Sequence, residues 1–147
     1  IRLIFMSSDG VYPSLKGNYK ENSKLKPYNY YGKTKLQGEN LVKKLKFFII
    51  IRTRFFDKQK VRFSHSATNI FTSALEVNQL VKYIFKILKS NFNGILNVGG
   101  KRISDYKRYK KYNKKIKPCD KSEIFKELNF KLATDASLNL NKFKKLL

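Results

Sequence analysis

The sequence predicts an α/β fold built on parallel strands. Three observations carry that expectation. Apolar runs at residues 2–6, 47–52 and 95–98 have strand length, and Ser and Gly turn formers close the first and the last. Predominantly apolar runs of that size suit strands buried on both faces of a parallel sheet. The predicted order is strand, loop, helix, strand, loop, helix, strand, helix, and such alternation favours a parallel sheet with crossover helices. The chain has 147 residues, 41% of them apolar, which is enough for one core.

The first strand, 2–6, ends at Ser7-Ser8-Asp9-Gly10. Residues 13–29 contain Pro13, Gly17 and Pro27 and read as an ordered loop. A helix is expected from Asn29, an N-cap two residues after Pro27. It carries Leu36, Leu41 and Leu45 along one flank and ends at Lys43-Lys44-Lys46, which suits the negative end of the helix dipole. Residues 47–52 form the second strand, and 53–68 read as polar and irregular. Leu75 to Leu88 is a helix whose Leu80, Ile84, Ile87 and Leu88 share a face. Asn93-Gly94 is a turn, and Ile95 to Val98 is the third strand. Residues 104–113 read as a helix capped by Ser104. Residues 122–147 read as two short helices around a loop at 129–137.

Composition excludes several functions. One cysteine, Cys119, rules out an internal disulfide framework and a multi-cysteine zinc site. Cys119 is expected near the surface, without an activating base. One histidine, His65, in a serine-rich loop, leaves little for metal or triad chemistry, so no metal is expected. No apolar run approaches a membrane span. The net charge of +23 points toward polyanions. However, 27 of the 33 basic residues are lysine, and Asn and Phe number 13 and 12. These are residues of A/T-rich codons, so the charge follows from codon bias and nucleic acid is not the expected partner. Residues 101–117 hold nine basic residues and Tyr106, Tyr109 and Tyr112. Such a pattern can bind single strands, but tyrosines spaced by three also suit a core-facing helix, and that is the expectation here.

Tyr31 and Lys35 are four residues apart at the start of the first helix, on one face and one turn apart. An ammonium beside a phenol favours the phenolate, so the phenol can exchange a proton with a carbonyl or alcohol oxygen. Ser8 ends the first strand, where ligands bind in open α/β sheets. Its hydroxyl can hold the same substrate oxygen. Arg52 and Arg54 end the second strand on the ligand side, where a guanidinium can pair with a phosphate.

The wider pattern is Ser7-Ser8-Asp9-Gly10-Val11-Tyr12, then Glu21, then Tyr31-Gly32-Lys33-Thr34-Lys35-Leu36-Gln37-Gly38-Glu39. It resembles the extended short-chain dehydrogenase/reductases, and within them the dTDP-4-dehydrorhamnose reductase family. Ile51-Arg52-Thr53, the segment 71–77, the segment 94–100 and Asp135-Ala136-Ser137-Leu138 resemble later motifs more loosely. The resemblance implies the C-terminal part of a Rossmann-like parallel sheet over 1–55. Residues 56–147 would be a small substrate-binding lobe with a helix returning to the core. It implies Tyr31 as catalytic acid, tuned by Lys35, with Ser8 in the place of the family's catalytic Thr or Ser. Ser7, Tyr31, Lys35 and Arg52 would contact the cofactor, NADPH or NADH, and Ser8, Asp9 and Val11 the substrate.

The implied reaction is reduction of a nucleotide-linked 4-keto-6-deoxysugar in the cytoplasm. A homodimer would pack through helix 30–46. An NAD-dependent epimerase or dehydratase would use the same three residues. Outside enzymes, the alternatives are a catalytically dead fragment and a basic nucleic-acid-binding module. The family's Gly-x-x-Gly-x-x-Gly loop is absent from these residues, and Gly99-Gly100 lacks its spacing. The segment from Arg52 to Thr72 is shorter than the family's insertion. The chain therefore reads as the C-terminal portion of something longer, expected to fold poorly and bind NAD(P) weakly by itself.

Overall fold

The computed structural model describes residues 1–127 and 133–147. Along the chain it forms β1 (Leu3–Ser8), α1 (Tyr30–Val42), β2 (Phe48–Thr53), β3 (Phe55–Phe56), β4 (His65–Ala67), β5 (Phe71–Thr72) and β6 (Leu75–Glu76). Then follow α2 (Val77–Lys89), β7 (Gly94–Asn97), β8 (Ile103–Ser104), α3 (Asp105–Tyr109), β9 (Lys117–Cys119), α4 (Lys121–Glu127) and α5 (Asn141–Leu146). Part of the loop expected at 129–137 lies outside the described residues.

The three apolar runs form one parallel sheet in the order β1-β2-β7. Ile49, Ile50 and Ile51 at its centre are wholly buried. Burying one such side chain contributes about 1.5–3 kcal/mol, so this short strand anchors the core. Ile49, Ile51 and Leu96 face Leu80 and Ile87 of α2 and Phe143 of α5. On the other face α1 packs against β1 and β2. The sheet is thus covered on both sides, as parallel sheets require.

Asn29 caps α1 as expected, its side chain accepting the Gly32 N–H at 2.8 Å. The helix stops at Val42, because a tight turn with Lys44 and Leu45 donating to Leu41 and Val42 leads into β2. Its inward face is Gly32, Glu39 and Val42, with Leu36 partly buried. Leu41 and Leu45 point outward, which corrects the expected leucine flank.

Other boundaries shift too. The expected helix from Leu75 begins as β6, whose N–H at Leu75 donates to Arg54 O at 2.9 Å. Its inward residues Leu80, Ile84 and Ile87 are as expected, whereas Leu88 is partly exposed. The helix expected over 104–113 ends at Tyr109. Residues 53–68 are not structureless. They hold β3 and β4, which pair with β6 and β9 in two small parallel ladders, while β5 and β8 pair antiparallel. Tyr109 and Tyr112 lie against Phe56, at 5.4 and 5.5 Å between ring centroids, but Tyr112 is exposed and Arg108 takes the buried place, which corrects the expected core-facing row of tyrosines. Cys119 is buried, not near the surface, because β9 packs inward beside β4. Among the described residues no helix is long and apolar enough to cross a membrane.

Candidate active site

Parallel strands aim their C-terminal ends at one edge of the sheet, and the loops there make a crevice. Ser7 and Ser8 close β1 at that edge, Thr53 closes β2 and Arg54 follows it. The first turn of α1 brings Tyr31 beside them. Ser7, Ser8, Asp9, Tyr31, Thr53 and Arg54 line one cleft of about 340 Å³. A Cβ on Gly10 would lie 3.3 Å from the Ser8 hydroxyl and 3.9 Å from the Tyr31 ring, so both flank the same glycine. Gly32 allows this approach. A Cβ there would come within 2.2 Å of the Gly10 carbonyl oxygen.

Tyr31 is exposed in the cleft, and the Lys35 ammonium lies 5.7 Å from the centre of its ring. That ammonium donates to the backbone oxygen of Met6 at 2.9 Å. The Ser8 hydroxyl accepts the Gly10 N–H at 3.0 Å and donates to Asp9 at 3.3 Å. Asp9 also receives the Arg54 Nε at 2.7 Å. Burial pushes the Asp9 carboxyl above its ordinary range, against the pull of Arg54. For Arg54, burial works toward a lower pKa, but the charge of Asp9 outweighs it and keeps the guanidinium protonated. Arg54 is still 32% exposed.

Two expected contacts are corrected. Arg52 does not reach the cleft to meet a cofactor. It donates twice to Glu39, at 2.8 and 2.6 Å, and to Tyr12 Oη and Glu21 O at 2.8 and 2.9 Å. Val11 does not offer its side chain to a substrate, because it is wholly buried in a cluster with Tyr12, Tyr19 and Leu138. Ser7 lines the cleft, yet its hydroxyl is committed to Glu39 at 2.6 Å.

Sequence reasoning missed the polar spine behind the cleft. Glu39, Arg52, Tyr12 and Asn97 are linked in series, with Tyr12 Oη donating to Asn97 at 2.9 Å. Glu21, noted only as a motif residue, accepts the Asn97 N–H at 3.0 Å. Burial works to raise the Glu39 carboxyl, but hydrogen bonds from Arg52 and Ser7 outweigh it and hold the pKa low. A signal existed: opposite charges sat at inward positions of two buried elements.

A larger cavity, about 520 Å³, lies among β4, β9 and α3 and not at the strand ends. It is lined by His65, Ala67, Asp105, Tyr109 and Cys119 among others. Burial raises the Asp105 carboxyl and pushes the Tyr109 phenol to about 12. Arg54 feels the charge of both Asp9 and Asp105, so it is the electrostatic link between cleft and cavity. His65 is exposed, and its ring Nδ1 lies 3.1 Å from the Ser64 hydroxyl.

The double-covered parallel sheet, with a serine and a Tyr-x-x-x-Lys helix at its strand ends, defines a class: the α/β fold of the sugar-nucleotide-modifying enzymes. The chain belongs to the RmlD substrate binding domain family, whose model matches residues 1–82. A hypothetical dTDP-4-dehydrorhamnose reductase from Sulfolobus tokodaii superposes with a TM-score of 0.81 at 28% identity, covering 99% of this chain and 58% of that one. The Bacillus anthracis dTDP-4-dehydrorhamnose reductase, solved with NADP, gives 0.82 at 20% identity, with 98% and 59% covered. A UDP-glucuronic acid 4-epimerase from Bacillus cereus, solved with NAD, gives 0.70 at 19%, with 98% and 54% covered. The chain thus spans somewhat over half the length of these structures. No curated protein matches it.

Proposed function

We propose that the protein containing this chain reduces the 4-keto group of a nucleotide-linked 6-deoxysugar. The carrying observation is that Ser8 and Tyr31 line one cleft at the strand ends, with Lys35 a turn behind. Residues 1–55 would supply the C-terminal portion of the nucleotide-binding fold and 56–147 the substrate lobe, in a cytoplasmic enzyme. Exposed Leu41 and Leu45 on the outer side of the 30–46 segment support a homodimer there.

The residues present fit the reactive end of a nicotinamide cofactor and no more. The cleft is open beside Tyr31, but these residues contain no glycine-rich loop for a pyrophosphate. Bound there, NADPH or NADH supplies the hydride. Tyr31 donates its phenolic proton to the carbonyl oxygen as the alcohol forms. Ser8 turns its hydroxyl hydrogen from Asp9 to that oxygen, while the Gly10 N–H keeps the Ser8 oxygen in place. Lys35 would orient the cofactor's ribose. The larger cavity takes the nucleotide end of the substrate, with Arg54 between the two.

The test uses the intact protein, NADPH or NADH and a dTDP-4-keto-6-deoxysugar. Cofactor oxidation is expected, and Tyr31→Phe should lower kcat by about 10²–10⁴. No oxidation, or indifference to that change, refutes the reading. Tightly retained NAD with no net oxidation would instead mark an epimerase or dehydratase.

A further inference from the structure

The basic segment 101–117 plays no part in the cleft, and the structure divides its charges. Arg102 pairs with Asp135 at 2.8 Å. Lys110 donates to the backbone of Lys114 and Ile116. Lys101 and Lys111 make no ion pair among the described residues, and neither does Lys58 in the turn after β3. These three lysines ring a cavity of about 420 Å³, with Arg108 at its inner side and Phe56 and Tyr112 on its wall.

Arg108 is the unusual member. It is only 5% exposed, yet it forms no ion pair among the described residues. Its guanidinium donates to Ala74 O, Thr72 O and the Thr72 hydroxyl, and its Nε has no partner. Asp105 on the same helix offsets part of the charge from a distance, while Arg54 adds to it. Buried charges are normally paired, because desolvation is costly. The one acid lining the cavity, Glu76, is committed to the N-terminus of α2. It accepts the Asn78 N–H at 3.1 Å and the Asn78 amide at 3.2 Å. Four cations therefore face a space the size of a small-molecule site with one occupied carboxylate.

We propose that this cavity binds a small phosphate-bearing molecule. Its phosphate groups meet Lys58, Lys101 and Lys111, and its organic part lies against Tyr112 and Phe56. The site is separate from the cleft and does not depend on the reading of Tyr31.

Calorimetric titration of the intact protein with pyrophosphate and with ADP, at low ionic strength, tests it. One saturable site is expected. Lys101→Ala with Lys111→Ala should weaken pyrophosphate roughly tenfold or more, since each lysine supplies a charge-assisted bond. Tyr112→Ala should lower ADP affinity and leave pyrophosphate unchanged. Tyr31→Phe should alter neither, and the double lysine variant should leave hydride transfer intact. All three replaced side chains at the cavity are exposed, and a thermal melt confirms folding. The proposal fails if pyrophosphate does not saturate, if the double variant binds it normally, or if a single-stranded oligonucleotide binds through the same lysines more tightly than either probe.

Discussion

The carboxylate of Glu39 and the guanidinium of Arg52 meet through two parallel hydrogen bonds, with side chains 0% and 1% exposed. One residue lies on the helix that carries Tyr31, the other on the strand that ends just before Arg54. The pair therefore fixes the distance between the two walls of the cleft.

Breaking that pair from either side leaves a buried charge. Glu39→Gln and Arg52→Met are each expected to cost about 3–5 kcal/mol, and replacing both with apolar residues should cost much less than their sum. Urea denaturation of the two single variants and the double variant checks this. Additive losses would show that the two residues act independently.

Gly32→Ala should separate activity from stability. Its added methyl meets the Gly10 backbone, which cannot rotate away, so α1 must retreat from the turn beside Ser8. Overpacking of this kind costs about 1–3 kcal/mol. Hydride transfer in the intact protein should fall further than that loss explains. Unchanged kcat in a folded variant would refute the close approach as a functional requirement.

Acid and neutral limbs of the stability curve should have different owners. The Glu39 pKa is held below its ordinary value of 4.5 in the fold. Its contribution is complete above the unfolded value and disappears as pH falls through the folded one. Asp9 and Asp105 lie above their ordinary 3.8. The folded state then binds their protons more tightly, so their contribution is present at acid pH and is lost as pH rises through the raised values. Glu39→Gln should flatten the acid limb, and Asp9→Asn the decline on the other side. Denaturation midpoints measured across pH decide it.

Arg2 ties the start of β1 to the far end of α2. It donates to Leu88 O at 2.6 Å, Ser90 O at 2.8 Å and Phe92 O at 3.2 Å. The Leu88 carbonyl belongs to the last turn of α2, at the negative end of the helix dipole, and Ser90 and Phe92 lie just beyond it. Arg2→Ala should cost about 1–2 kcal/mol, read as a lower midpoint in thermal melts. Hydrogen exchange should speed up in the last turn of α2 before anywhere else.

What could be read from the sequence was what short stretches determine. Asn29 caps its helix by a bond three residues long, and Tyr31 and Lys35 share a face by helical spacing. Arg52 could not be read this way. Alone it looks like a ligand-facing strand end, and only Glu39, thirteen residues away on another element, turns it inward. Leu41 and Leu45 misled for a related reason, because Glu39 takes the inward place that apolar pattern would assign to leucine. Strands of two or three residues, such as β3 and β5, are too short to show a period. They exist because the chain beside them supplies a ladder partner.

Leu3 donates its N–H to Phe47 O, so backbone groups of alternate residues face β2 and the Met6 carbonyl faces away. Lys35 thus stoppers the open margin of the sheet, a common use of lysine on unpaired strands. A further strand laid along that margin competes for the same oxygen.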